Sequence, residues 1–256
     1  MHPPERVRFM RDQIKLSLGR ASAIITDSEY IRLELARHFS WPIERIFSVP
    51  LASSPEFKPR SYEELLPNLE LLNLIPGNYT LFSGTIEPRK NISTLLDAYA
   101  NLSLGIRKSC PLVVVGYKGW KSEDLHRRFD KGQSEGWLKY LGFVSNDLLA
   151  TLMSGARLFV YPSYYEGFGL PVLEAMASGV PVICSNASSL SEVAGDAAAF
   201  HAPEDVDGLL NLLRIGLENN EWRTGAIKAG FIQSQNFSWD RCIEETLKVY
   251  KSVLND

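Results

Sequence analysis

Two glutamates stand eight positions apart, at Glu166 and Glu174, in the stretch YYEGFGLPVLEAMASG. A glycine-containing turn separates them, and the sequence predicts a helix directly after it. Carboxylates accept hydrogen bonds from sugar hydroxyls, and the N–H groups at a helix start attract phosphate. The spacing therefore suits a ligand with a sugar at each end and a diphosphate between. Alternatively, Glu174 supports the helix dipole and the glycines serve only the turn.

Two adjacent cations, Arg89 and Lys90, precede another predicted helix in the segment FSGTIEPRKN. The strand before them is predicted to end at Gly84, and the helix is predicted to begin near Asn91. Cations beside the free N–H groups of a helix start form an anion site. The alternative is that Arg89 and Lys90 are two solvated loop cations and that Asn91 is an ordinary helix cap.

An apolar pair, Phe143 and Val144, follows a predicted strand end at Gly142 in LKYLGFVSNDLL. Ser145 is placed to cap the next helix. Exposed at a strand end, such a pair can flank a flat ring such as a nucleobase. The commoner alternative is that both side chains belong to the core.

These segments lie in a regular alternation of apolar strands and helices that begins near residue 78. The strands are continuous apolar runs, which is typical of a sheet covered by helices on both faces. The fold class predicted is α/β, with right-handed crossovers and a doubly wound parallel sheet. Ligands of such sheets bind beyond the carboxyl ends of the strands, where the residues described above fall. The predicted strands are YTLFSG, PLVVVG, LKYLGFV, RLFVYPS, PVICSN and AAAFHA.

The first sixty residues follow a different pattern. Two short strands with a helix between them, and a first helix with a stripe at Val7, Met10, Ile14 and Leu18, indicate the remnant of a second α/β domain. A proline- and serine-rich stretch, SSPEFKPRSYEE, is interpreted as a linker. We therefore expect a remnant with linker at 1–58, a Rossmann-like domain at 59–236 and a C-terminal helix at 237–256.

Composition excludes several classes of function. The net charge is −3 and no run of basic residues occurs, so we expect no nucleic-acid partner. Three scattered cysteines and the lack of a long apolar run predict a cytoplasmic protein, at most peripheral to a membrane. Asp205 and Asp207 spell a DxD motif, but their position favours a helix start over a metal site. We expect no metal and no cofactor.

The segments GTIEPRKN, LGFVSNDLLATLMSGARLFVYPSYYEGFGLPVLEAMASGVPVICSN and SSLSEVAGDAAAF occur in order between residues 79 and 203. Together they resemble the donor-binding half of retaining glycosyltransferases of family 4, which have the GT-B fold. The segment AIITDSEYIRLEL through FKP resembles the end of the family's N-terminal, acceptor-binding domain. The beginning of that domain has no counterpart in the sequence.

The resemblance implies a role for each candidate residue. Lys90, with Arg89 beside it, matches the basic group on the donor diphosphate, and Glu166 matches the glutamate facing the donor sugar. These three are the predicted catalytic residues. Many members have an arginine where this sequence has Thr85, and we expect Arg89 to supply that charge. In the same way, the resemblance assigns the backbone amides of 168–170 to the diphosphate, Phe143 and Val144 to the base, and Glu174 to the ribose. The full set of predicted donor-binding residues is Gly84, Thr85, Phe143, Val144, Phe168, Gly169, Leu170 and Glu174.

The implied activity is transfer of a sugar from a nucleoside diphosphate sugar to an acceptor hydroxyl, with retained configuration. The amino-acid sequences of the motifs most resemble those of mannosyltransferases that use GDP-mannose in bacterial surface-polysaccharide assembly. The expected partners are the nucleotide sugar, an acceptor glycan or lipid-linked glycan, and a second copy or another chain that supplies the acceptor domain. The alternative is a non-catalytic nucleotide-sugar-binding module, or a donor half that needs a partner chain.

Overall fold

The structure, a computed structural model, describes residues 4–255 and contains two parallel sheets. The larger sheet has six strands in the order β5-β4-β3-β6-β7-β8. All its neighbouring strands are parallel, so the predicted doubly wound sheet is confirmed. Its strands are β3 (Thr80–Ser83), β4 (Leu112–Val115), β5 (Leu138–Gly142), β6 (Leu158–Tyr161), β7 (Val182–Ser185) and β8 (Ala198–His201).

Helices cover the sheet, and the side chains of its central strands β3, β4, β6 and β7 are buried throughout. Three pairs of helices pack on one another beside the sheet. They are α10 (Val206–Glu218) on α4 (Ile92–Ala100), α3 (Tyr62–Leu71) on α7 (Asn146–Ser154), and α11 (Asn220–Ser234) on α8 (Leu170–Ala177). None of the helices within 4–255 is long and apolar enough to span a membrane. The helices of this layer are α3 (Tyr62–Leu71), α4 (Ile92–Ala100), α5 (Leu104–Ser109), α6 (Glu123–Ser134), α7 (Asn146–Ser154), α8 (Leu170–Ala177), α9 (Leu190–Ala194), α10 (Val206–Glu218) and α11 (Asn220–Ser234).

The strand order of the larger sheet reverses between β3 and β6. The chain leaves β3 toward one side, through β4 and β5, and returns by α7 to form β6 on the other side. The loops that follow β3 and β6 therefore diverge and leave a crevice between them, which is where open α/β sheets bind ligands. Arg89 and Lys90 follow β3, and Glu166 follows β6, so the topology brings these residues to the same crevice.

The N-terminal segment forms its own small sheet, in which β1 (Ile24–Thr26) pairs in parallel with β2 (Ile46–Ser48). Helix α2 (Glu29–Phe39) connects the two strands, and Ser28 caps it by accepting a hydrogen bond from the N–H of Ile31. The linker interpretation was wrong at its end, because Ser61 and Glu64 form a capping box that begins α3. The pattern Ser-x-x-Glu was the signal for that helix start.

Two terminal helices present apolar side chains to solvent. In α1 (Pro4–Leu18), Val7 and Met10 of the predicted stripe are exposed, and in α12 (Trp239–Asn255), Ile243 and Tyr250 are exposed. Both helices were predicted from their periodicity. The domain boundaries after residues 58 and 236 stay a prediction, and their outer ends, residues 1–3 and 256, lie outside the described residues.

Candidate donor site

A buried ion pair joins the loops after β3 and β6. The Nζ atom of Lys90 lies 2.8 Å from Oε1 of Glu166, and each of these residues is 7% exposed. Lys90 also donates a hydrogen bond to the Tyr161 hydroxyl and lies 4.8 Å from the centroid of that ring. The alternative of a solvated loop cation is therefore wrong for Lys90, because its ammonium group is enclosed by a carboxylate and an aromatic face.

Arg89 extends the pair into a cluster. Its guanidinium contacts Oε2 of Glu166 at 2.7 Å and Oε1 of the buried Glu87 at 2.8 Å. It also donates to the backbone carbonyl of Tyr165 at 2.6 Å. We call Glu87, Arg89, Lys90 and Glu166 the ion-pair cluster. Sequence reasoning missed Glu87, which stands two residues before Arg89 and holds the guanidinium against the crevice.

The cluster fixes the charges of its members. Burial alone would raise the pKa of Glu166, but the ion pairs with Lys90 and Arg89 outweigh it and hold that pKa below its ordinary value. Burial lowers the pKa of Lys90, and Glu166 opposes that change. We assign both groups as charged at neutral pH, because each is the other's neutralising partner. The cluster thus holds two cations and two carboxylates together between the loops after β3 and β6.

Asn91 is not an ordinary helix cap. It stands at the start of α4 with a left-handed backbone, and its side chain makes no capping hydrogen bond. Its amide instead donates to the carbonyls of Pro162 at 3.0 Å and Pro203 at 2.6 Å. The side chain therefore ties the start of α4, next to Lys90, to the segments after β6 and β8.

The turn between the two glutamates contains a row of backbone N–H groups without protein acceptors. Gly169 has φ of +118°, which favours glycine, and it begins α8 without a side-chain cap. Within 4–255, the N–H groups of Phe168, Gly169 and Leu170 donate to no protein acceptor. The Phe168 side chain is buried against Leu173 and Val193, so only its backbone is available to a ligand. Free N–H groups at a helix start attract anions.

Glu174 lies in a separate pocket of about 200 Å³. In the described part of the chain its carboxylate has neither an ion-pair nor a hydrogen-bond partner, and burial raises its pKa to about 7. A half-buried carboxylate without partners is costly unless a ligand supplies donors. The pocket brings together six residues of interest: Gly84, Thr85, Tyr117, Phe143, Val144 and Glu174. A larger groove, of about 610 Å³, lies elsewhere, between residues 47–50 and α12.

Two stacked aromatic rings stand at the rim of the Glu174 pocket. Phe143 and Tyr117 have ring centroids 4.3 Å apart and planes 16° apart, and they are 59% and 58% exposed. Phe143 is therefore not a core residue, whereas Val144 packs against the core. Sequence reasoning missed Tyr117. It carries the same signal as Phe143, an aromatic directly after a glycine at a strand end.

The DxD motif is part of a helix start. Asp205 caps α10 and accepts a hydrogen bond from the N–H of Gly208 at 2.8 Å, so that interpretation is confirmed. No group of three or more potential metal ligands is found among residues 4–255.

A doubly wound parallel sheet with charged residues and an aromatic-rimmed pocket beyond the ends of its strands is the architecture of a ligand-binding α/β domain. The family model described as glycosyl transferases group 1 matches residues 75–232. The chain therefore belongs to that family. The predicted resemblance to GT-B glycosyltransferases is confirmed, because solved structures of that fold superpose on nearly the whole chain.

Sequence relatives are mannosyltransferases. The chain is 45% identical over 250 residues to O-antigen chain mannosyltransferase B of Escherichia coli, covering 98% of this chain and 66% of that protein. It is 33% identical over 225 residues to the serotype-specific mannosyltransferase WbdA of the same organism, covering 86% of this chain and 27% of the relative. The chain thus spans less than two thirds of the length of these relatives.

Among solved structures, HepE of Anabaena, determined with UDP and glucose, superposes with a TM-score of 0.81 at 20% identity. That match covers 96% of this chain and 66% of HepE. A glycosyltransferase of Rickettsia africae superposes with a TM-score of 0.82 at 16% identity, covering 100% of this chain and 69% of that one. At these identities the likeness shows the fold.

Proposed function

We propose that this chain binds a nucleoside diphosphate sugar, GDP-mannose, and transfers mannose to an acceptor glycan or lipid-linked glycan with retained configuration. The observation that carries the proposal is the crevice between β3 and β6. The loops after β3 and β6 carry two cations and three N–H groups without protein acceptors, and Glu174 follows on α8, in a pocket that reaches the end of β3. A nucleoside diphosphate sugar has the anionic centre and flanking hydroxyls that match this arrangement.

Lys90, Arg89 and the free N–H groups of Phe168, Gly169 and Leu170 are assigned to the diphosphate. Departure of the nucleoside diphosphate accumulates negative charge on the β-phosphate, and fixed donors stabilise such charge without reorganising. Glu166 pairs with both cations in the ligand-free chain, and Glu87 pairs with Arg89 as well. The phosphate must therefore compete with Glu166, and a Glu166 carboxylate released from one cation is free to face the donor sugar.

Glu174 is assigned to the ribose, and the Tyr117–Phe143 pair to the base. The Glu174 carboxylate lacks partners in the described residues, and the two ribose hydroxyls are donors that would satisfy it. The exposed ring faces offer a stacking surface, and stacking of a base on an aromatic side chain contributes about 1–3 kcal/mol. Gly84 and Thr85 line the same pocket and approach the nucleotide through the backbone after β3.

The choice of GDP-mannose rests on the relatives, since O-antigen chain mannosyltransferase B and WbdA are both named for mannose transfer. UDP-glucose is the competing donor that an experiment must include. The purified chain is incubated with GDP-mannose or UDP-glucose and with a mannosylated acceptor, and the product is detected by mass and its anomeric configuration by NMR. Mannose transfer that Glu166→Gln and Lys90→Ala abolish supports the proposal. Absence of any transfer in the presence of bound donor contradicts catalysis by this chain alone.

A second candidate, a donor-binding module that needs a partner chain for the acceptor, is favoured by one observation. Among the described residues before the six-stranded sheet, β1 and β2 pair with each other, and the Ser28 hydroxyl of this segment contacts the turn after Glu166. Slow hydrolysis of GDP-mannose by the isolated chain separates the candidates from a passive scaffold. Hydrolysis that depends on Lys90 identifies a working donor half, whereas tight binding without hydrolysis or transfer identifies a non-catalytic module.

A further inference from the structure

Three serines surround the turn that carries Glu166, and none of them is among the donor-contacting residues. We define the turn loop as residues 166–169. Ser188 accepts a hydrogen bond from the N–H of Glu166 at 2.8 Å. The Ser189 hydroxyl lies 2.9 Å from the carbonyl of Glu166 and 2.8 Å from that of Phe168, and its one proton is shared between these two acceptors. The Ser28 hydroxyl donates to the carbonyl of Gly167 at 2.7 Å.

Ser28 and Ser189 approach the turn loop from different parts of the chain. Ser28 lies at the end of β1 in the N-terminal segment, 139 positions from Gly167, and Ser189 lies between β7 and α9. Both side chains are fully buried. The carbonyls of three consecutive residues of the turn loop are therefore held by the protein on the side away from solvent.

Held carbonyls fix the directions of the N–H groups. The described peptide bonds are all trans, so each N–H points opposite to the carbonyl of the preceding residue. The Ser28 contact at the Gly167 carbonyl therefore directs the N–H of Phe168, and the Ser189 contact at the Phe168 carbonyl directs the N–H of Gly169. Those two N–H groups are without a protein acceptor in the described chain.

We propose that Ser28 and Ser189 are positioning residues that aim the N–H groups of Phe168 and Gly169 at the diphosphate of the donor. This proposal rests on the proposed function, because the anion is the donor's. A serine hydroxyl suits the role, since one proton can be donated to a carbonyl while the oxygen serves a second partner. Ser28 does both, because its oxygen also accepts from the N–H of Ile31 at the start of α2.

The segment that carries the small sheet contacts the turn loop of the large sheet through Ser28. Ser28 belongs to the segment of the small sheet, so that segment helps to shape the anion site of the large one. A second contact supports the same junction, since the Glu192 carboxylate of α9 accepts from the N–H groups of Glu29 at 2.8 Å and Tyr30 at 3.0 Å. Movement of α2 relative to the turn loop would therefore change the aim of the Phe168 N–H.

The test compares ligands with and without the diphosphate. Affinities for GDP, guanosine and inorganic diphosphate are measured by calorimetry for the unmodified chain and for Ser28→Ala and Ser189→Ala. Ser234→Ala is the matched control, because Ser234 is also buried and donates to a backbone carbonyl, that of Phe231 at 2.8 Å. We expect each of the first two variants to weaken GDP and inorganic diphosphate about tenfold, the scale of one hydrogen bond to a charged group. Guanosine affinity should stay unchanged.

A purely structural role would give a different result. Equal weakening of GDP and guanosine, or unchanged GDP affinity in both variants, overturns the proposal. Ser28→Thr keeps the hydroxyl and the helix cap, so it should restore GDP affinity relative to Ser28→Ala. Serine-dependent binding of inorganic diphosphate without binding of GDP-mannose would keep this proposal and overturn the donor assignment. GDP-mannose binding that is unchanged in both serine variants would keep the donor assignment and overturn this proposal.

Discussion

The two glutamates of the turn differ in how the protein surrounds them. Glu166 is held by two cations within 2.8 Å, and its pKa is held below the ordinary value by them despite its burial. Glu174 has no such partner in the described chain, and burial raises its pKa to about 7. One region of the crevice is therefore neutralised before any ligand arrives, whereas the other needs donors from a ligand. Removing a charged group should destabilise the first region and stabilise the second.

The largest effect is expected in the ion-pair cluster. Lys90→Met leaves the buried Glu166 with Arg89 as its only cation, and breaking a buried ion pair costs about 3 kcal/mol. Denaturant unfolding should show that loss, and GDP affinity should fall about tenfold or more. The double variant Lys90→Met/Glu166→Gln should recover part of the stability without recovering GDP affinity. A Lys90→Met chain as stable as the unmodified one would show that the cluster is not the neutralised region described.

Removal of the Glu174 charge should have the opposite effect, an increase in the free energy of unfolding. Its folded pKa of about 7 lies above the ordinary 4.5, so the folded chain binds more protons than the unfolded chain between these values. Stability should fall as pH rises from about 4.5 to about 7, by about 2 kcal/mol after allowance for partial exposure. Glu174→Gln should flatten that dependence and raise the free energy of unfolding at pH 8.

The same substitution should affect the ligand in the reverse direction. Ribose hydroxyls donate to an ionised carboxylate, so GDP affinity of the unmodified chain should rise through pH 7 and that of Glu174→Gln should not. Calorimetric titrations at pH 6 and pH 8 check this. Identical pH profiles for the two chains would mean that Glu174 does not contact the nucleotide.

The stacked rings at the pocket rim should have a smaller effect. Tyr117→Ala removes one ring of the pair, and loss of a stacking surface costs about 1–2 kcal/mol of base affinity. GDP and guanosine should weaken alike, about tenfold, because the base is common to both. Tyr250→Ala is the control, since Tyr250 is equally exposed but lies on α12. Loss of GDP affinity without loss of guanosine affinity would place Tyr117 at the diphosphate instead.

The smallest effect is expected at the DxD motif. Asp205→Ala removes the cap of α10 and should cost about 1 kcal/mol of stability. GDP affinity should not change, with or without added Mn²⁺. A metal-dependent fall in affinity in this variant would show that the aspartates serve the ligand.

The fold could be predicted from the sequence because the strands of a covered parallel sheet are continuous apolar runs. The meeting of Arg89, Lys90 and Glu166 follows from the topology, since the loops after β3 and β6 both border the switch point. The pairing itself could not be predicted, because Glu166 follows Lys90 by 76 positions and no local pattern connects them. Ser28 and Ser189 were missed as site residues for the same reason. Tyr117 and the α3 start carried local signals that were overlooked.

The central claim is that one nucleoside diphosphate sugar occupies both regions of the crevice. The most direct measurement is a thermal-shift panel of GDP-mannose, GDP, UDP-glucose, UDP and ADP, with the unmodified chain, Lys90→Met and Glu174→Gln. A ligand at 100 times its dissociation constant should stabilise the chain by about 2.7 kcal/mol. We predict a shift for GDP and GDP-mannose that both variants diminish. A cooperative melt that no nucleotide shifts, or a shift that neither variant alters, would contradict the account.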